Sequence, residues 1–597
     1  MKKYWKELVI ILAAFVLYGN TLQNGFVLDD FSAIVENRFV QRGADGISDI
    51  FTTHYRKGYW SSPGDLYRPL VLSSFAIEYQ YAQGDPYLHH LINILFYAGI
   101  GILLFHLISN WLPNEHSLLP LLVALLFLAH PIHTEVVANI KSRDEIMSLF
   151  FALSSLLALD KYFRSQKMSW LIVMGIIFLL ALLSKESSLV YLLVIPLTAA
   201  FFYEPKKSDF YKILGVLILP VLLFINLRHQ ALSEQTETIP IKISLTTDDP
   251  ISQILLSGYH LLLYLYKLVF PVSLASQYPE YSQGPTSFVS VMGIIGLLLH
   301  VGLLYYGFKW FKKKDIKGYI VLFYLITHFL HSNLILVIGT YFGERLLFTP
   351  SVAFSMASGL CIVYLISKFN IKTARIVTII VLIIYSGITI HRNNEWFSNT
   401  TLYAADVVKQ PESALLNYWQ SLELTETEYL ASLSESERKR SLNTGLKHLE
   451  KALEINPNYG EALAQIALVY YKSGDNVKAL AAYEKALDQG KGSVNALNNV
   501  AAIYFGQGDF NKAKSYYEQT VKINPYHKDA WGNLGITYAQ IGEFSQAENA
   551  FRKAIEINPN NGQLYFYLGM TLNQLGKTND ATVYFEKAFE IDPSLKR

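Results

Sequence analysis

The sequence holds a single cysteine and few charged residues for its length. Cys361 has no second cysteine to pair with, so a fold held together by disulfides within the chain is excluded. Lys, Arg, Asp and Glu make up 16% of the 597 residues, against about 25% in soluble domains. The formal net charge is only +2. We therefore predict no nucleic-acid partner, because no strong positive field is available to attract phosphates.

Apolar residues take the place of the missing charge, at 52% of the chain. A helix that crosses a bilayer needs about 17 to 25 mostly apolar residues. The first such run covers residues 8–28 without an Asp, Glu, Lys or Arg. Ten similar runs follow, so the sequence predicts an integral, multi-pass membrane protein with the lipid bilayer as a partner. The eleven predicted spans are 8–28, 86–109, 117–134, 143–159, 168–184, 187–203, 211–227, 288–308, 318–338, 346–367 and 376–391.

Basic residues beside the spans predict an orientation. They cluster at residues 2–6, 161–167, 206–212, 309–317 and 368–375, and such clusters usually face the cytoplasm. All five fall on one side if the amino terminus is cytoplasmic and segment 250–270 is re-entrant or interfacial. An odd number of spans then puts the residues after 395 on the outer face, and the expected location is a bacterial inner membrane.

The carboxy-terminal part repeats itself every 34 residues. Gly474, Gly508, Gly542 and Gly576 recur at this spacing, each followed by Ala five residues on and by Tyr or Phe nine residues on. This period, with a turn glycine and paired small and large contact residues, is typical of tetratricopeptide helix pairs. We predict repeats over 441–597, preceded by a connector and an irregular first repeat helix over 396–440.

Stacked helix pairs leave a concave groove lined by side chains of their first helices. Because Asn side chains can hold an extended peptide backbone, we predict that this groove binds a protein or peptide acceptor. The alternative is a structural array whose asparagines only cap helices and contact solvent. The predicted groove residues are Asn498, Asn499, Asn533 and Tyr565.

Ionisable side chains gather at the predicted outer ends of the spans, where they are costly unless wet or paired and are therefore functional candidates. Asp29 and Asp30 directly follow the first span. Two adjacent carboxylates raise each other's pKa unless a cation offsets this, and one of them can accept a proton from an alcohol. The alternative is an acidic helix end in the headgroup layer. The other candidates are Arg68, His130, His133, Glu135, Arg143, Asp144, Glu145, Lys185, Glu186, Glu344 and Arg345.

The sequence leaves the roles of these other candidates open. His130, His133 and Glu135 have a spacing found among metal ligands, but they fit equally a polar cavity that orients a sugar, or a helix cap. Lys185, Arg143 and Arg345 each have an acidic neighbour in sequence. Internal ion pairing is thus the alternative to holding a phosphate, for which guanidinium groups have a suitable fork.

Five segments carry a family resemblance: Leu28-Asp-Asp30, Tyr67-Arg-Pro69, Ala129-His-Pro-Ile-His-Thr-Glu135 through Arg143, Lys185-Glu186, and Glu344-Arg345-Leu-Leu-Phe-Thr-Pro350. In their order and spacing the chain resembles the transmembrane and tetratricopeptide-repeat O-mannosyltransferase-like family, within the C-type glycosyltransferase superfamily. The resemblance covers nearly the whole chain. It implies an all-α fold: a polytopic helical membrane domain over 1–395, with a first outer loop over 29–85, followed by a tetratricopeptide-repeat α-solenoid.

The resemblance also implies an activity. A sugar, mannose in the family where known, would pass from a polyprenyl-phosphate donor to a Ser or Thr hydroxyl of a protein on the outer face. The catalytic carboxylate of the first outer loop would be that of Asp29 or Asp30, with Asp30 slightly favoured. A divalent metal ion could bind both. A single displacement with inversion is expected. Arg345, Lys185 and Arg143 would hold the donor phosphate; Arg68, His130, His133, Glu135 and Glu344 would orient substrates.

A second function remains open at the level of sequence. The chain could be a non-catalytic membrane scaffold whose repeats assemble envelope or polysaccharide machinery. That function does not explain the charges at the outer span ends, whereas the enzyme requires them. A transporter would place buried charges near the middle of the spans instead.

Overall fold

The computed structural model describes residues 4–59, 65–233, 249–279, 284–334, 340, 342–368, 371–488, 494–527 and 529–596. These residues form helices, turns and loops and no strand, which confirms the predicted all-α fold. The chain divides into two compact units, Met1–Glu412 and Ser413–Arg597.

The first unit contains seventeen α-helices in its described residues. They are α1 Trp5–Tyr18, α2 Arg38–Gln41, α3 Ile47–Thr52, α4 Pro69–Ala82, α5 Pro86–Trp111, α6 Leu119–Ala129, α7 Thr134–Ala138, α8 Arg143–Ser165, α9 Met168–Ser184, α10 Tyr191–Phe202, α11 Lys207–Leu232, α12 Pro250–Val269, α13 Ser287–Lys312, α14 Ile316–Phe329, α15 Ser351–Lys368, α16 Ile371–Glu395 and α17 Asn399–Lys409.

Short helical turns lie between them, mostly at the polar ends of the long helices. One is a π-helix that directly follows Asp30, and the others are 3₁₀ turns. The π-helix is Phe31–Val35; the 3₁₀ turns are Gly19–Gln23, Gly43–Gly46, Pro131–His133, Ile140–Ser142, Glu186–Val190 and Glu344–Leu347.

Seven helical segments of the described chain are long and apolar enough to cross a membrane. The bent pair of α6 with Pro131–Ala138 would be an eighth, and α9, α14 and the segment Glu186–Phe202 are shorter apolar helices. These eleven segments lie at the positions of the eleven predicted spans, although the number of crossings stays a prediction. The predicted span 318–338 runs too far, because α14 ends at Phe329; residues 335–338 lie outside the described chain.

Helix α12 occupies the segment predicted to be re-entrant or interfacial. Ser257 donates a hydrogen bond to the Asn333 carbonyl, just beyond the end of α14. Eleven residues later, the Leu268 carbonyl is 2.9 Å from Nε2 of His130, just beyond the end of α6. In the predicted orientation both neighbouring ends are outer ends. Helix α12 thus has the contacts expected of a helix that lies along the outer face of the membrane. Its position relative to the bilayer stays a prediction.

Close packing of α12 against α13 depends on glycine. A Cβ atom on Gly293 would lie 2.1 Å from the Leu255 carbonyl oxygen, and one on Gly258 would lie 2.2 Å from the Gly293 carbonyl oxygen. Both contacts are with backbone atoms, which cannot rotate away. Gly302, on the same helix as Gly293, would meet no atom within 4 Å.

The second unit consists of paired helices: α18 Ala414–Thr425, α19 Thr427–Ser432, α20 Glu435–Ile455, α21 Gly460–Lys472, α22 Asn476–Asp488, α23 Val494–Gly506, α24 Phe510–Ile523, α25 Ala530–Gln540, α26 Phe544–Ile557, α27 Gly562–Gln574 and α28 Thr578–Ile591. The four repeat glycines have φ between +75° and +84°, a conformation that glycine adopts readily.

Two boundaries differ from those predicted. The first unit extends to Glu412 instead of 395, because the Asp406 carboxylate of α17 is buried against Arg392 and the Ser276 amide. Helix α20 begins at Glu435, before the predicted start at 441. Ser434 and Glu437 form a capping box at this point, which fixes where the helix starts.

The close packing at Gly293 predicts that the same substitution, Gly to Val, has different effects on stability at two positions of α13. Gly293→Val should push α12 away and destabilise the protein by at least about 1–3 kcal/mol, as overpacking does. Gly302→Val has the same effect on helix propensity but no atom to displace. Thermal unfolding of the full chain in detergent should show a clear loss for the first variant only. Equal melting temperatures would contradict the packing described.

Candidate active site

The turn after the first apolar helix gives its two carboxylates opposite environments. The Asp30 side chain is fully buried. Its Oδ2 accepts a hydrogen bond from the Val27 amide at 2.9 Å, and its Oδ1 accepts one from the Lys141 amide at 2.7 Å. Burial, the largest effect, raises the pKa of Asp30 to about 7 even though these two amides lower it. Asp30 therefore joins two loops and has no free oxygen for a substrate.

The neighbouring Asp29 side chain is half-exposed. Its carboxylate lies 3.3 Å from Nη2 of Arg56 and 4.0 Å from Nζ of Lys141. Burial raises the pKa of Asp29, but the positive charges of Lys141, Arg56 and Arg345 outweigh it and leave the pKa below its ordinary value. Asp29 is thus an accessible, ionised carboxylate, which corrects the preference for Asp30 as the catalytic residue.

Asp144, at the start of α8, is the buried centre of the surrounding charges. Nζ of Lys141 lies 3.6 Å and Nζ of Lys185 lies 3.5 Å from its carboxylate, and Arg68 donates a short hydrogen bond to it. Lys185 also pairs with Glu145. Three cations from three separate segments therefore converge on one carboxylate, because a buried charge is stable only when paired and hydrogen-bonded.

Two further ion pairs complete this cluster. Nε of Arg68 lies 3.0 Å from Glu186. Arg345 pairs through Nη1 with Glu135, whose second oxygen accepts the Arg345 amide at 3.0 Å. The Arg345 side chain keeps 26% of its exposure, more than Arg68 or Lys185. The outer charge cluster, as we name it, has five basic and five acidic members: Arg56, Arg68, Lys141, Lys185, Arg345, Asp29, Glu135, Asp144, Glu145 and Glu186.

Arg143 does not belong to the outer charge cluster. It is fully buried, and its guanidinium group forms a bidentate ion pair with Glu78. Its other contacts are with Asn93 Oδ1 at 2.6 Å, Ser74 Oγ at 2.9 Å and the His89 carbonyl at 2.8 Å. The prediction that Arg143 holds a phosphate is therefore wrong, since its donors are already used inside the protein.

His130 and His133 are also structural. Both are fully buried. The nitrogens of His133 lie 2.8 Å from the hydroxyls of Tyr97 and Ser351. Nε2 of His130 lies 2.9 Å from the Leu268 carbonyl, and its Nδ1 accepts the Ile132 amide. These contacts use all four ring nitrogens, so the prediction that the histidines line a substrate cavity is corrected: they hold α12 and α15 in place.

Glu344 points away from its neighbour Arg345. The carboxyl group is fully buried and accepts hydrogen bonds from the Ala275 amide and the Tyr278 hydroxyl. Burial raises the pKa of Glu344 to about 7. Because Glu344 holds the segment after α12 and does not open toward solvent, the prediction that it orients a substrate is corrected to a structural role.

The two carboxylates predicted to bind a divalent metal ion, Asp29 and Asp30, are not both open to one ion. Both oxygens of Asp30 accept backbone hydrogen bonds, which leaves Asp29 as the one carboxylate of the pair that is open. Among the described residues there is no group of three or more His, Cys, Asp or Glu side chains placed to share an ion. These residues therefore form no metal site by themselves. Because Mg²⁺ can be held by one carboxylate together with water and substrate phosphate, an ion that binds with the donor stays a prediction.

The predicted groove residues of the second unit have mixed contacts. Asn499 donates a hydrogen bond at 2.9 Å to the Tyr483 hydroxyl, so its side chain joins adjacent repeats and is not free for a peptide. Tyr565 stacks on Tyr584, with ring centroids 6.3 Å apart. Asn498 and Asn533 are half-buried, and their acceptor-binding role stays a prediction.

Sequence reasoning missed two members of the outer charge cluster, Arg56 and Lys141. It counted Asp144, Glu145 and Glu186 among the charged residues at the span ends but assigned them no role. Lys141 had a usable signal, because it is a basic residue in a predicted outer turn, away from the cytoplasmic clusters. Arg56 gave no comparable signal, since it lies in a long loop whose path the sequence does not reveal.

Comparison with known proteins adds to this geometry. Three family models described as tetratricopeptide repeat match residues 438–494, 492–560 and 550–582. Protein O-mannosyl-transferase F38B6.6 of Caenorhabditis elegans is 24% identical over 69% of this chain and 59% of its own. Human protein O-mannosyl-transferase TMTC3 is 26% identical over 76% of this chain and 52% of its own.

The predicted resemblance to the transmembrane and tetratricopeptide-repeat O-mannosyltransferase-like family is confirmed. The chain spans a little over half the length of these two relatives. A crystal structure titled "YrrB: a TPR protein with an unusual peptide-binding site" is 20% identical, covers 32% of this chain and 92% of its own, and superposes with a TM-score of 0.27.

The internal position of Arg143 predicts a stability effect. Arg143→Met removes the charged partner of the buried Glu78, which among the described residues keeps only its contact with His89 Nδ1 at 2.6 Å, and should destabilise the protein by about 3–5 kcal/mol. Arg56→Gln removes an exposed ion pair and should cost less than about 1 kcal/mol. Thermal unfolding of both variants in detergent distinguishes them. A mild effect of Arg143→Met would show that Glu78 and Arg143 are not the buried pair described.

Proposed function

We propose that this protein is a membrane glycosyltransferase that transfers a mannose-like sugar from a polyprenyl-phosphate donor to Ser or Thr hydroxyls of a protein. One observation carries the proposal: a half-exposed, ionised Asp29 lies beside converging Lys and Arg side chains at the ends of apolar helices. The relatives are named protein O-mannosyl-transferases, which supports the sugar and the acceptor class.

In the proposed reaction Asp29 is the general base. The acceptor hydroxyl oxygen forms a bond to the anomeric carbon while the bond from that carbon to the phosphate oxygen breaks. The hydroxyl proton passes to the Asp29 carboxylate, and the lipid phosphate leaves with the bonding electron pair. Because its pKa is lowered, Asp29 is ionised at neutral pH and has a site for the proton. It is a weak base, so it takes the proton as the bond from the hydroxyl oxygen to the anomeric carbon forms. One displacement inverts the anomeric centre, and no covalent sugar–enzyme bond is needed.

Arg345 and Lys185, with Arg68, are the proposed donor-phosphate ligands. Their ion pairs with Glu135, Glu145 and Asp144 fix where the cations point before a donor arrives. Cations that are already oriented stabilise developing phosphate charge without a further cost of reorganisation. Arg345, the most exposed of the three, is the first to meet a phosphate entering from solvent or headgroups.

The repeats are the proposed site of acceptor binding. Tetratricopeptide arrays present an extended concave surface, and half-buried Asn498 and Asn533 retain side chains suited to a peptide backbone. We also propose that the amino terminus is cytoplasmic and that Asp29 and the repeats share the outer compartment, as the basic clusters predict.

The two adjacent aspartates give a matched test of the catalytic assignment. Asp29→Asn should lower sugar transfer by about 10²–10⁴-fold, as loss of a general base does, without lowering the melting temperature. Asp30→Asn places an amide NH₂ group against a backbone N–H, so it should lower the melting temperature. The measurement is transfer from a synthetic polyprenyl-phosphate mannose to a Ser/Thr peptide, with thermal unfolding alongside. Wild-type turnover in Asp29→Asn would refute the proposed base.

The phosphate ligands predict weaker donor recognition. Because Lys185 also pairs with the buried Glu145, its variant should lower the melting temperature as well. Arg345→Met and Lys185→Met each remove a charged hydrogen-bond donor, worth about 1.5–3 kcal/mol, so the KM for the donor should rise about 10- to 100-fold. The KM for the acceptor peptide should stay within about twofold. Arg164→Met, at the opposite end of α8, is the matched control and should change neither. If donor KM stays at the wild-type value in both site variants, the phosphate lies elsewhere.

A further inference from the structure

The residue before Asp29 has a backbone conformation that needs an external hold. Leu28 has φ of +51°, in the left-handed region that side chains with a Cβ rarely adopt. Residues in such conformations persist when surrounding contacts fix them, and they concentrate at functional sites. The turn that directs Asp29 toward Lys141 and Arg56 begins at this residue.

A side chain from a distant part of the first unit fixes Leu28. Its amide donates a hydrogen bond at 2.8 Å to Oδ1 of Asn399. Asn399 is the first residue of α17, 371 residues further along the chain. On the other side of the turn, the bond from the Val27 amide to Asp30 closes residues 27–30 locally. Two contacts come from outside the turn: the Lys141 amide binds the Asp30 side chain, and Asn399 binds the backbone of Leu28 itself.

Asn399 is itself firmly placed. Ser398 caps α17 through the Thr401 amide. Further along the helix, Asp406 is fully buried and accepts hydrogen bonds from Arg392 at 3.1 Å and from the Ser276 amide at 2.7 Å. The Phe397 carbonyl also accepts a hydrogen bond from the Gly25 amide at 2.9 Å. Because α17 is held in place, its acceptor Asn399 cannot move with the loop. The hydrogen bond therefore fixes the position of the donor, the Leu28 amide.

We propose that Asn399 is a positioning residue: through the Leu28 amide it holds the left-handed turn that places the Asp29 carboxylate beside Lys141 and Arg56. The inference rests on the proposed base function of Asp29 and extends it to a residue of the last helix of the first unit. Asn399 does not itself contact the reacting groups.

The test compares kcat and acceptor KM of the full chain in nanodiscs, with a synthetic polyprenyl-phosphate mannose and a Ser/Thr peptide. Asn399→Ala should lower kcat about 10- to 100-fold, the scale of a small misplacement of a catalytic group, with acceptor KM within about twofold. Asn399→Asp keeps an oxygen acceptor and should retain most of kcat. Ser398→Ala weakens the cap of the same helix but leaves the Leu28 bond, and should stay near the wild type.

Three results would overturn the proposal: wild-type kcat in Asn399→Ala, an equal loss in Asn399→Asp, or an equal loss in Ser398→Ala. If Asn399→Ala does not fold, Asn399→Ser replaces it, because the shorter hydroxyl cannot reach the Leu28 amide and the same loss is expected.

A second readout does not depend on sugar transfer. In a Cys361→Ser background, Asp29→Cys offers one thiol at the site, and its rate of reaction with an anionic thiosulfonate reports its placement. Adding Asn399→Ala should change that rate several-fold, and adding Ser398→Ala should not; an unchanged rate would refute positioning. If Asp29→Asn keeps full transfer activity while the labelling rate still responds to Asn399, the base assignment fails and the positioning contact stands.

Discussion

Burial of the Asp144 carboxylate is the constraint on which the site depends. An ionised carboxylate at the end of an apolar helix is unstable without compensation, and here Lys141, Lys185 and Arg68 supply it. These cations come from the turn before α8, the turn after α9 and the residue before α4. One buried charge therefore fixes the relative positions of three loops, and the side chains available to a substrate are the outer members of the same network.

The two aspartates illustrate how neighbours in sequence acquire different roles. Asp30 points inward and accepts two backbone amides, one of them from Lys141. That bond brings the Lys141 side chain close to Asp29 on the other side of the turn. Asp30 thus places a positive side chain beside Asp29. The two carboxylates have these different environments because the backbone just before them turns sharply at Leu28.

Local patterns made most of the fold predictable, whereas long-range pairing decided the site. The apolar runs and the 34-residue period are readable within one helix or one repeat, and the helices lie at those positions. Arg143, by contrast, has acidic neighbours at 144 and 145 but pairs with Glu78, and Arg345 passes over Glu344 to reach Glu135. Because α-helix starts point successive side chains in different directions, sequence adjacency does not predict which carboxylate a cation meets.

The balance of the outer charge cluster bears on the proposed chemistry. Before reaction, negative charge resides on Asp29 and on the donor phosphodiester. When Asp29 takes the hydroxyl proton and the sugar leaves the phosphate, one negative charge moves from the carboxylate to the lipid phosphate, and the total is unchanged. Arg345 and Lys141 both act electrostatically on Asp29. Cations near this carboxylate can therefore stabilise the negative charge on Asp29 before the transfer and on the lipid phosphate after it. Fixed charges that are already oriented favour such a transfer, because charge moves within the cluster and none has to be brought in or released.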